Sequence, residues 1–208
     1  MADLTSICVY CGSNAGTDPE FAATAKALGA AMAKADIRLV YGGGSVGLMG
    51  ILARSVLAAG GQVTGIIPQF LKDRELMLKE VDELVVTADM HERKRIMFER
   101  SDAFVALPGG IGTLEELVEV MTWAQLDRHV KPILIANIGG FWDPLISLFD
   151  RMTEKGFVHK AFLGHQDHAV DLPVVLVPTV AEIIPALQAR IARTPRPALE
   201  AAGRVDVL

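Results

Sequence analysis

The chain has 208 residues, of which 51% are hydrophobic and 22% charged, and its formal net charge is −5. That length and apolar content suit a folded domain with its own core and exclude a disordered chain. The acidic balance provides no global basic field for a nucleic-acid backbone, so the expected partner is a small molecule rather than a polymeric nucleic acid.

The first apolar run, SICVYC at 6–11, predicts a strand. The residues before it have neither the basic segment nor the long apolar stretch of a secretion signal, and no later run reaches the length of a membrane span. The expected location is cytoplasmic, with no membrane partner. Cys8 and Cys11 are the only cysteines, in C-x-x-C spacing. Thioredoxin-type pairs open a helix, whereas Cys8 falls inside a strand, and zinc would need two more ligands close by. Both read as reduced structural thiols.

A helical pattern at 18–35 is followed by a strand at 37–42, a helix at 46–59 and strands at 62–68 and 83–88. Then come a helix at 90–101, a strand at 103–108, a helix at 113–126, a strand at 132–137, a helix at 142–154, a strand at 173–178 and a helix at 179–192. Strands that are apolar throughout, alternating with helices, predict an α/β fold: a Rossmann-like doubly wound parallel sheet with helices on both faces. The expectation is a single catalytic domain over 1–192. The tail 193–208, with two prolines and little periodicity, is expected to be poorly ordered.

Ligands bind such a sheet beyond the carboxyl ends of its strands, and the three most unusual turns all follow strands. GGGSVG at 42–47 satisfies G-x-G-x-x-G, but the next strand ends in proline and amides where a dinucleotide site needs an acid, and Asp73 comes too late. The loop, Gly43 and Gly44 within it, reads either as a turn that approaches a phosphate or sugar, or as a structural strand-to-helix turn. PGGIGTLEE at 108–116 joins a glycine-rich strand exit to a helix start, where free N–H groups and the positive end of the dipole favour an anion. Thr113 and Glu116 also have capping-box spacing, which would make Glu116 structural. Glu115 and Glu116 point about 100° apart on a helix, so only one can face the loop.

DMHERKR at 89–95 opens a helix with Arg93 and Lys94 where cations oppose the dipole, which suits them to a bound anion. Arg95 and Glu99 read as a surface i,i+4 pair. Met49 and Met90 either line a base pocket or pack in the core. His129, His159, His165 and His168 lack the spacing of a zinc site, so no metal is expected, and His91 is assigned no chemistry.

With YGGGSVGLMG, DMHERK and PGGIGTLEE all present, the sequence resembles the LOG family, the cytokinin riboside 5′-monophosphate phosphoribohydrolases, over about residues 6 to 190. CVYCGS, RLVYGGG and VTGIIP contribute to the likeness. The resemblance implies a homodimer without a cofactor that hydrolyses the N-glycosidic bond of an adenosine 5′-monophosphate or its N6-substituted form. By resemblance, Arg93 and Glu116 are catalytic, while Lys94 and the loop from Pro108 through Gly109, Gly110, Ile111, Gly112 and Thr113 bind nucleotide. Glu75 matches a glutamate near the base, and Ser13 lies where the nucleotide is approached. Many relatives carry an older label, lysine decarboxylase-like; that chemistry would need pyridoxal phosphate on a lysine, and no lysine stands in an evident site for it. A nucleotide-binding module without turnover is the alternative from another functional class.

Overall fold

A computed structural model describes residues 4–72, 77–158 and 174–193. Seven parallel strands form one sheet: β1 (Ser6–Tyr10), β2 (Arg38–Tyr41), β3 (Val63–Pro68), β4 (Glu83–Thr87), β5 (Ala103–Ala106), β6 (Ile133–Ala136) and β7 (Val174–Val177). Their order across the sheet is β4-β3-β2-β1-β5-β6-β7. The chain builds outward from β1 in one direction, then returns to β1 and builds outward in the other. The switch point therefore lies between β1 and β5, whose register pairs Cys8 with Phe104 and Tyr10 with Ala106.

The helices are α1 (Pro19–Lys34), α2 (Gly47–Ala58), the short α3 (Gln69–Lys72), α4 (Met90–Glu99), α5 (Ile111–Gln125), α6 (Asp143–Glu154) and α7 (Val180–Arg193). All seven strands and six longer helices stand where the sequence pattern puts them. The one-turn α3 and a 3-10 turn at Ile138–Gly140 are additions too short to show periodicity.

Alternation along each strand divides the core in two. Ile7, Val9, Leu39, Val105 and Leu134 pack with α1, α2 and α7 on one face. Cys8, Tyr10, Val40, Phe104 and Ile133 pack with α4, α5 and α6 on the other. Cys11 belongs to the first face and Cys8 to the second, so the sheet separates them; both are free and buried. Burial pushes each thiol far above its ordinary value, which leaves them inert. Among the described residues no helix is long and apolar enough to cross a membrane. Residues 194–208 and Glu75 lie outside the described residues.

Candidate functional site

The loops after β1, β2 and β5 meet at the switch point, held by backbone bonds. Gly12 donates its N–H to the Pro108 carbonyl at 3.1 Å and accepts from Leu48, in the first turn of α2, at 3.0 Å. Side chains are excluded where these loops cross: a Cβ on Gly109 would overlap the Thr113 side chain and come within 2.9 Å of the Gly12 nitrogen. Gly12–Gly16, Phe21, Leu48, Pro108–Gly110 and Phe141 line a pocket of about 230 Å³, with no cationic side chain in its wall. The predicted Ser13 is here, exposed. Phe21 and Phe141, which meet edge-on at 5.6 Å, were missed by the sequence reading. The signal for Phe141 was the glycine pair before it, with φ of +58° at Gly139 and +74° at Gly140, a strand-following turn like the other three.

The three glycines around the start of α5 have different reasons. Gly109 is required by the packing just described. Apart from adjoining residues and the backbone of α5 itself, no atom comes within 4 Å of a notional Cβ on Gly110 or Gly112, and neither adopts positive φ. Glycine there answers to no neighbour inside the chain. The α5 N-cap is Gly110, which brings no side chain to the first N–H groups. Thr113 is buried inside the helix rather than standing before it, and Glu116 faces another element altogether, so the capping-box reading fails. The true capping arrangement is on α4, where Asp89 accepts from Glu92 N–H at 2.8 Å and the Glu92 carboxylate accepts from Ala88 N–H at 2.7 Å.

Glu116 meets Arg93, with Nη2 to Oε1 at 3.5 Å and both side chains nearly buried. Arg93 also donates Nε–H to the Ile66 carbonyl at 3.2 Å, so the end of β3 fixes its direction. Its guanidinium passes over Gly42, where a Cβ would overlap Nη2. That recess explains the first glycine of GGGSVG. Gly43 and Gly47 are explained by positive φ, and Gly47 also by the Ser13 backbone against it. Gly44 bridges to Met77, and Gly43 accepts from Leu78 N–H. Met49 is buried below Gly42, and the half-buried Met90 places its sulfur 3.7 Å from Arg93 Nη1.

Burial raises the Glu116 carboxyl from 4.5 to about 7; the nearby Arg93 charge opposes the rise, while Glu115 and Glu119 add to it. Desolvation outweighs the ion pair because a single contact at 3.5 Å does not replace the lost hydration. A carboxyl poised near neutrality can hold or release a proton at working pH. Lys94 is placed differently from the expectation of an open anion ligand: it reaches Glu115 at 2.7 Å and Glu119 at 2.8 Å. Ile111 is 82% exposed. Arg95 and Glu99 form the expected surface pair at 3.7 Å. Neither Arg93 nor Glu116 lines the 230 Å³ pocket; the two sites flank the start of α5. His129 is a core residue, while His159, His165 and His168 lie outside the described residues.

A family described as possible lysine decarboxylase matches residues 49–180. A protein of Oryza sativa subsp. japonica named probable cytokinin riboside 5′-monophosphate phosphoribohydrolase is 51% identical over 152 residues, covering 73% of this chain and 68% of the relative. A cytokinin riboside 5′-monophosphate phosphoribohydrolase of Arabidopsis thaliana is 49% identical over 152 residues, covering 73% and 71%. The chain belongs to the LOG family. The fold of this LOG-family chain is shared with the molybdenum cofactor carrier protein of Chlamydomonas reinhardtii, with TM-score 0.67, 22% identity, and coverage of 92% of this chain and 100% of the carrier.

Proposed function

We propose that this chain hydrolyses the N-glycosidic bond of adenosine 5′-monophosphates, plain or N6-substituted, to release the free base and ribose 5-phosphate. The observation that carries the reading is a buried carboxyl titrating near neutrality against a fixed guanidinium, beside glycines left bare for no internal reason. Family membership supplies the substrate class.

The 5′-phosphate is held by the N–H groups at the start of α5, where the helix dipole stabilises its charge and bare Gly110 and Gly112 let it approach. As the bond to the base breaks, positive charge builds on the anomeric carbon. The ionised Glu116 stabilises that charge and takes a proton from the attacking water, whose oxygen bonds to the anomeric carbon. The bonding pair leaves with the base, which takes a proton from solvent, and Glu116 then releases the water's proton to solvent. Arg93, fixed by Ile66 and the Gly42 recess, orients the ribose phosphate and keeps part of the Glu116 population ionised.

Ser13, Gly43, Gly44, Met49, Met90, Lys94, Pro108 and Thr113 complete the proposed nucleotide site, with Ile111 at its rim. The exposed Ile111 and Val118 lie on one side of α5 with Leu126 at its C-cap, and this stripe supports a homodimer packed through that helix. The working location is proposed to be cytoplasmic.

The test is incubation of the pure protein with AMP and with N6-isopentenyl-AMP, following free base by chromatography, with Glu116→Gln alongside. Base release that is lost in the variant is the expected result. No release from either nucleotide by the wild-type protein would sink the hydrolase and favour a binding module.

A further inference from the structure

The segment between α5 and β6 carries two buried polar side chains with no part in the proposed chemistry. His129 and Lys131 are 3% and 6% exposed. The Lys131 backbone N–H donates to His129 Nδ1 at 3.1 Å, which places the ring proton on Nε2. That nitrogen in turn donates to the Val120 carbonyl at 2.8 Å. The Lys131 ammonium donates to the Phe98 carbonyl at 2.8 Å and stands over the Phe98 ring at 4.2 Å. The His129 ring meets Phe98 edge-on at 5.1 Å.

Val120 lies one turn beyond Glu116 on α5, and Phe98 lies in the last turn of the helix that carries Arg93. A cation at that carbonyl end also opposes the negative pole of α4. One short segment thus grips both helices of the Arg93–Glu116 pair through buried hydrogen bonds. Burial pulls the Lys131 amine down to about 8. The cost of holding a desolvated ammonium there indicates that the tie demands more than packing.

We propose that His129 and Lys131 are positioning residues, a buried clamp that sets the separation and dryness of the Arg93–Glu116 pair. The clamp rests on the reading of that pair as the reacting centre. Loosening it lets α4 and α5 part and admits water to Glu116. The charged and titratable groups facing Glu116 are Arg93 and Lys94 from α4, Glu115 and Glu119 from its own helix, Cys8 and Tyr10 from β1, and Cys11 just beyond that strand. None of them is altered by changing the clamp.

Two histidine variants separate tethering from mere packing. His129→Gln can still donate towards Val120 from the end of its side chain, whereas His129→Asn keeps an acceptor for Lys131 N–H but cannot reach Val120. Lys131→Met removes the ammonium while filling similar space. The readouts are kcat and KM for base release, and the Glu116 titration followed by carboxyl ¹³C NMR, its signal assigned by its loss in Glu116→Gln.

His129→Asn and Lys131→Met are expected to lower kcat on the order of 10- to 100-fold with little change in KM. In both, the Glu116 midpoint should drop from about 7 towards the ordinary carboxylate range, with His129→Gln staying near wild type. Folded His129→Asn with wild-type kcat and an unmoved Glu116 midpoint would overturn the clamp, as would His129→Gln behaving like His129→Asn. If Lys131→Met fails to fold, the histidine pair decides. If wild-type protein releases no base, the hydrolase reading falls, and the NMR midpoints still judge the clamp.

Discussion

Replacing Glu116 by glutamine should flatten the pH dependence of stability. The wild-type carboxyl is held at about 7 against an ordinary 4.5, with burial the dominant cause. Between those two values the folded protein keeps a proton that the unfolded chain has released. Wild-type stability from this group is therefore full below about pH 4.5, falls as the pH rises, and has bottomed out above 7. The difference of roughly 2.5 units corresponds to about 3 kcal/mol, of which about 2.5 kcal/mol is lost between pH 5 and 8. The variant cannot ionise and escapes that loss.

Glutamine gives Arg93 a neutral partner at every pH, as the protonated Glu116 does in the wild type at pH 5, so any packing cost of the substitution is the same at both pH values. The decisive quantity is thus the change between pH 5 and 8, not stability at either. For a chain of this size, the difference moves the variant's melting temperature relative to wild type by roughly 5–10 °C across that interval. Thermal unfolding followed by circular dichroism at constant ionic strength measures it. Parallel curves for the two proteins across that range would refute the argument that burial dominates the Glu116 environment.

Arg93→Ala should cost about 3–5 kcal/mol in stability, because it breaks a buried pair. It should also raise the acid midpoint of any remaining base release above wild type, since Arg93 is the main force pulling Glu116 down; an unchanged midpoint in the pH–rate profile would count against the pair. Gly42→Ala should displace the guanidinium while the protein stays folded, cutting kcat/KM on the order of 100-fold, as steady-state kinetics with AMP would show. Gly110→Ala and Gly112→Ala should melt within about 1 kcal/mol of wild type yet bind AMP more weakly in calorimetry, whereas Gly109→Ala should lose stability itself, by about 1–3 kcal/mol. Cys8 and Cys11 should both be silent to a thiol reagent in the native protein and react only after denaturation.

The sequence by itself determined the alternation of strand and helix and the edge of the sheet at which the unusual turns gather, because both are written in local periodicity and turn chemistry. SICVY is apolar after Ser6 since both faces of β1 are covered, and PGGIG announces a bare helix start without any knowledge of its neighbours. Arg93 and Glu116 could be singled out as chemistry in an odd place, one by its clash with a helix dipole and one by its company of glycines. Tertiary structure alone decided that these two face each other, that Thr113 is no cap, and that Lys94 meets two carboxylates. It alone also turned the first glycine of GGGSVG into a recess for a guanidinium. His129 looked like a stray histidine until the fold set it between Val120 and Phe98. The reason is common to all of these: periodicity is a property of neighbours along the chain, whereas desolvation and ion-pair distance are set by elements that meet only when the sheet is assembled.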